Sequence, residues 1–291
     1  MRVCFLLLIS SLLFISCYTP RYMYSPAAQN IPLLVNKGDS KLSGAIATNF
    51  SKEYTANNRL NETKNRGFDL QGAYAITNHF AIAANYYRRN ESNNGSRASF
   101  RLDSANLRYK RQLTELAVGY FTPLEKSKLF MFQLFGGIGK GQFSFTDVGK
   151  DRSNIAYTRS HQAQVTKFYF QPALMLQSKG IFSASFSNRF TFLKFGDIKT
   201  DYTATELSNY QLDSLTDGTR NFWEPAFTNS FGFKKLPGIL FEYQFGTSIV
   251  LNNRPINHRA FNFSFALVFD LPKLLSGKNE VDKKYTKQGI N

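Results

Sequence analysis

Beyond its first residues this chain has no long apolar run: no window holds the eighteen or so consecutive apolar residues that a spanning helix needs. A helical membrane protein is thereby excluded, and the mean hydropathy of −0.31 agrees. A membrane β-barrel is not excluded, because its strands are apolar on one face only. Cysteine is scarce too: Cys4 and Cys17 are the only two. Cys4 falls inside an export leader, so Cys17 is left with no intramolecular disulfide partner, and a Cys-based metal site is excluded. The three histidines, His79, His161 and His258, form no His-x-x-x-His pair and no cluster with carboxylates, so no metal or other cofactor is expected. A Gly-x-Ser-x-Gly elbow is missing as well. The glycine run from Gly136 to Gly141 lacks the Gly-Lys-Ser/Thr ending of a phosphate loop and continues into strand-like Gln142-Phe143-Ser144-Phe145. Its glycines are read as places where strands bend or pack closely.

What is present starts with the leader. Arg2 gives a positive start, Phe5 to Ile15 is an apolar run of h-region length, and Phe14-Ile15-Ser16-Cys17 resembles a bacterial lipobox. That resemblance implies cleavage before Cys17 and acylation of its thiol and amine. Residues 1–16 are therefore read as signal peptide, and 17–39, with three prolines and little periodicity, as a lipidated, extended tether.

From residue 40 onward the apolar period is two, the signature of strands with one apolar and one polar face. Ten strands are expected near 41–49, 67–77, 79–88, 105–121, 128–142, 163–176, 181–194, 221–233, 239–250 and 259–269. Short connections (77–78, 123–127, 177–180, 234–238) alternate with longer polar ones (50–66, 89–104, 143–162, 195–220, 251–258). Short periplasmic turns and long outer loops are the outer-membrane pattern, so residues 40–271 are read as an all-β, antiparallel, up-and-down transmembrane barrel of about ten strands. An even strand number puts both termini on the short-turn, periplasmic side, with the lipid of Cys17 in the inner leaflet. Residues 272–291 read as a polar periplasmic tail.

Sorting by face puts Phe168, Phe170, Phe182, Phe186, Phe190, Trp223, Phe227, Phe241 and Phe245 towards lipid. Asp69, Glu115, Lys167, Arg189, Glu224 and Glu242 fall on the other face, where a charge avoids the few kcal/mol it would cost in hydrocarbon. They are the candidates for a charge network lining or plugging the lumen. The formal charge is +16, and Arg66, Arg88, Arg89, Arg97 and Arg101, with Arg108, Lys110 and Arg111, crowd the first two outer loops and their strand ends. Such a rim suits the phosphates of lipopolysaccharide; export argues against nucleic acid.

The stretch Asn30-Ile31-Pro32-Leu33-Leu34 with Lys37-Gly38-Asp39, followed by Gly72-Ala73-Tyr74-Ala75-Ile76-Thr77-Asn78-His79, resembles small outer-membrane β-barrel lipoproteins of the Bacteroidota. The resemblance covers roughly the first third of the chain and implies fold and location, with no activity attached. No acidic cluster follows Cys17, which favours the periplasmic side for the lipid. Function is read as structural, adhesive or narrow-pore. The alternatives are a hydrolase at the outer rim with His161 or His258 as base, and a soluble periplasmic barrel binding an apolar ligand.

Overall fold

A computed structural model describes residues 20–50, 63–95, 104–150, 153–177, 182–233, 235–254 and 256–276. The strands are β1 (Ser40–Phe50), β2 (Thr63–Ala75), β3 (Phe80–Gly95), β4 (Ser104–Pro123), β5 (Phe130–Lys150), β6 (Ala156–Gln177) and β7 (Phe182–Thr200). They continue as β8 (Thr219–Phe233), β9 (Leu236–Thr247), β10 (Ile249–Val250) and β11 (Phe261–Phe269). Two short helices, α1 (Ala204–Asn209) and α2 (Leu271–Ser276), follow β7 and β11. From β2 to β9 each strand pairs antiparallel with its predecessor, β10 prolongs β9 along β8, β11 pairs with β9, and β1 zips to β11 from Leu42↔Phe269 to Phe50↔Phe261. The result is a closed up-and-down barrel of ten strands, which leaves no unpaired sheet edge for lipid to meet.

Outward apolar residues run from Phe130 to Ile138 on β5, Phe168 to Leu176 on β6 and Phe182 to Phe192 on β7. Each stretch is about the nine to eleven residues that a tilted strand needs to cross hydrocarbon. The strands themselves are longer, 21 residues in β5 and 22 in β6, so the wall continues past the apolar band. There the alternation changes phase. On β5 the band has Leu134 and Ile138 outside, but beyond it Lys140, Gln142 and Ser144 face out while Phe143 and Phe145 turn in. The long polar loop expected at 143–162 is thus mostly strand, because its period of two persists after the lipid-facing apolar residues stop. Beyond the band the wall obeys the rule of a water-soluble barrel, apolar inside.

The segment read as a tether is extended as expected, but it lies inside the barrel. Arg21 to Ile31 and Leu34 are almost all buried. Its upper end, Arg21, pairs with Asp147 near the C-terminal end of β5, on the side of the barrel that carries the long β7–β8 connection. Its lower end meets the short turns, where Lys37 N–H donates to Asn78 Oδ1 (2.9 Å) and Lys128 Nζ donates to Asn36 Oδ1 (2.7 Å). The chain then reverses at Gly38, whose φ of +88° lies in the left-handed region that favours glycine, and enters β1. The described N-terminal end therefore sits at the long-connection mouth, not on the short-turn side. At the other terminus Asp270 N–H donates to Gly238 O (2.8 Å) at a short turn, so the two described ends lie at opposite ends of the barrel.

Candidate functional site

The lumen is where the chemistry collects, and it is filled in tiers. Towards the short turns, Leu34 is packed among Ala75, Ala81, Phe121, Phe135, Met131, Tyr169 and Met175. Towards the long connections Tyr22, Met23 and Tyr24 meet Tyr109, Phe143, Phe145, Phe195 and Phe222, roofed by Tyr202, Tyr210, Leu212 and Leu215 from the β7–β8 connection. Buried ion pairs ring the segment: Arg21–Asp147, Lys41–Glu242, Arg89–Asp69, Arg111–Glu91, Arg259–Glu91 and Lys167–Glu115.

The three prolines of the segment, Pro20, Pro26 and Pro32, have no N–H to give a ladder, so the segment cannot pair as a regular strand. Its backbone polar groups are met by wall side chains instead. Gln71 Nε2 donates to Ala28 O (3.0 Å), Gln244 Nε2 to Gln29 O (2.9 Å) and Gln171 Nε2 to Asn30 O (2.9 Å). Lys41 Nζ reaches Ile31 O (3.4 Å) and Gln133 Nε2 donates to Pro32 O (2.6 Å). Five consecutive carbonyls are thus each held by a side chain from a different strand. Donors of the segment are matched too: Ala28 N–H to Asp69 Oδ2 (3.1 Å), Gln29 N–H to Gln244 Oε1 (2.6 Å), Tyr24 Oη to Glu224 Oε1 (2.6 Å) and Ser25 Oγ to Glu91 Oε1 (2.9 Å). That is a sequence-specific lock, in which the segment's carbonyls from Ala28 to Pro32 are all met, as burial requires.

All six residues proposed from the alternation for the lumen are buried inside the wall. Asp69, Glu115, Lys167 and Glu242 stand in the ion pairs above. Glu224 accepts from three hydroxyls, those of Tyr24, Thr191 and Ser248, and Arg189 Nε donates to Gln171 Oε1 (2.8 Å) with its guanidinium over the Tyr169 ring. Sequence reasoning missed Arg21, Lys41, Glu91, Asp147 and Arg259 as members. It also placed Arg89 and Arg111 in an anion-contacting rim, whereas both are buried in the lumen. The signal was their parity: Arg89 alternates in phase with Ala83 and Asn85, Arg111 with Glu115.

Arg66 and Arg88 do face outward and exposed, joined by Arg108, Lys110 and Lys140, just beyond the apolar band. Register places Arg66 beside Asn90, Arg88 beside Gln112, and Asn90 beside Lys110. Two shallow depressions open between these side chains, one lined by Arg88, Lys110, Gln142 and Ser144, the other by Arg66, Arg88, Ser92 and Arg108. Cys17, Arg97 and Arg101 lie outside the described residues.

The histidines considered as bases are tied down locally. His161 is buried against Phe145 with Nδ1 3.1 Å from Thr200 Oγ1. His258 points Nε2 at the Ser248 carbonyl (3.0 Å), a bond in which only the ring can donate. Among the described residues, no serine hydroxyl or carboxylate pairs with either ring. Beside His161, Ser160 gives both its N–H (2.9 Å) and Oγ–H (2.5 Å) to Asp201, which holds that carboxyl below the usual aspartate range. Burial raises Tyr202 well above the usual phenol range, so it stays protonated and donates to Asp147 Oδ2 (2.6 Å).

No protein-family model and no curated protein matches the chain. Among solved structures it is similar to the translocator domain of the autotransporter NalP from Neisseria meningitidis, at 10% identity and a TM-score of 0.49, over 80% of this chain and 87% of that one. The outer-membrane protease OmpT from Escherichia coli (10% identity, TM-score 0.39, 83% and 96% covered) is another such barrel. An outer-membrane channel from Pseudomonas putida F1 (10% identity, TM-score 0.40, 83% and 99% covered) is a third. Likeness at this level says nothing about substrate or chemistry.

Proposed function

We propose that the protein is an outer-membrane lipoprotein whose barrel is a sealed structural anchor, gripped from outside by lipopolysaccharide phosphates on its basic belt. The observation that carries this reading is the occupied lumen. A segment held by wall side chains along its length, with apolar tiers at both ends, leaves ions no wet path to follow, which favours an anchoring role over a narrow pore. The leader, its lipobox-like Phe14-Ile15-Ser16-Cys17 and the stretch from Asn30 to Asp39 support a place among Bacteroidota-type lipoproteins. The outward Arg66, Arg88, Arg108, Lys110 and Lys140 support contact with anionic head groups, because clustered cations just outside the hydrocarbon suit phosphate.

The test is electrical. Full-length protein inserted into a planar bilayer is expected to give no steady current. A reproducible open-channel conductance from protein that still shows heat-modifiable migration on a gel would sink the sealed-anchor reading.

A further inference from the structure

Ten strands return the chain to the side from which it set out, so Ser40 and Phe269 share the short-turn end. The lumen segment adds one more passage. At its lower end Asn36 and Lys37 touch the β4–β5 and β2–β3 turns. At its upper end the Arg21 guanidinium lies 3.7 Å from the centre of the Tyr210 ring, and Met23 N–H donates to Asn257 O (2.8 Å). Tyr210 belongs to the β7–β8 connection and Asn257 to the stretch before β11, both on the long-connection side. Eleven passages put the two ends on opposite faces.

We infer that the mature N-terminus emerges on the long-connection face, outside the cell, while the C-terminal end stays periplasmic. The lumen segment is thus an eleventh crossing element that displays what precedes it. Two residues, Tyr18 and Thr19, separate Cys17 from Pro20, a reach of at most about 11 Å, so acyl chains carried by Cys17 would stay on the long-connection side of the barrel. The inference rests on the reading above that the long connections face outward.

The experiment uses the full chain with an epitope inserted between Thr19 and Pro20, and a second full chain with the epitope after Asn291, each stained in intact and in permeabilised cells. The N-terminal epitope is expected to stain as strongly in intact as in permeabilised cells, and the C-terminal one only after permeabilisation. An N-terminal epitope that also needs permeabilisation overturns the inference, as does staining of both in intact cells. The reverse pattern, C-terminal epitope outside and N-terminal inside, would instead overturn the outward orientation of the long connections. Should the insertion block assembly, Thr19→Cys labelled with a membrane-impermeant maleimide replaces it. Labelling in intact cells supports the inference, and labelling only after lysis overturns it.

Discussion

Lys167 and Glu115 face each other across the β4–β6 side of the lumen at 2.7 Å, both buried, with Asn85 Nδ2 donating to the same carboxylate (3.1 Å). Removing one member leaves an uncompensated charge in a low-dielectric interior, a loss of roughly 3–5 kcal/mol, whereas removing both can be close to neutral. Lys167→Met is therefore expected to lower the temperature at which the folded band shifts on a gel, and Lys167→Met with Glu115→Gln to recover much of it. Additive losses would show the pair to be uncoupled. Glycines act by space. The Phe135 ring lies over lumen-facing Gly119, where an added Cβ would come within 2.4 Å of it. Gly119→Val is expected to cost about 1–3 kcal/mol by overpacking, read from the same gel shift. The six lumen charges were legible because period two alone assigns a side of the wall. Arg89 and Arg111 were misassigned because crowding in sequence was weighed above that parity.

The elements were legible where each carries its own periodicity. Every one of the ten expected strands is present, since Phe-rich alternation marks a lipid-facing wall without reference to distant residues. The lumen segment was not legible as such, because nothing local distinguishes an extended stretch in water from one inside a ring that closes some 200 residues later. A hint existed: Tyr22, Met23, Tyr24, Ile31, Leu33 and Leu34 are too apolar for a solvated linker. The β7–β8 connection roofs this segment. Thr203 caps α1, with Glu206 closing the capping box, and Asp201 pins the strand end to Ser160. Since the Asp201 pKa is lowered in the folded state, chiefly by the Ser160 hydroxyl, its contribution is full above the ordinary aspartate value and is lost as pH falls through the lowered one. Protease nicking between residues 201 and 218 is expected to rise over that acidic range and not with alkalinity. Asp201→Asn should nick faster at neutral pH and lose most of the acid dependence; an unchanged acid profile would assign the effect elsewhere.

Taken whole, the barrel is two environments in series. Within the apolar band it is greasy outside, with a mixed polar and apolar lumen; beyond the band it is polar outside, with aromatic rings and buried ion pairs inside. The basic belt lies at the junction, where phosphates of outer-leaflet lipid would sit. Replacing Arg66, Arg88 and Lys110 together by Ala is expected to reduce the lipopolysaccharide that copurifies with the folded barrel, while leaving its gel migration intact because these side chains point away from the lumen. Undiminished phosphate in the purified triple variant would remove the belt from the account.

The seam between β1 and β11 has a consequence for how the molecule is made. Once Leu42 and Phe269 are joined, the segment from Arg21 to Leu34 is a thread inside a finished ring. With the lumen filled, a bulky group at its free end could not be pulled through afterwards. Threading before closure avoids that step, and the seam would then form last, around a strand-like core already in place. Its pairing brings together residues more than two hundred positions apart, the kind of late, non-local step that governs how fast such a topology can fold. The N-terminal segment would then serve as the mandrel on which the cylinder is wrapped.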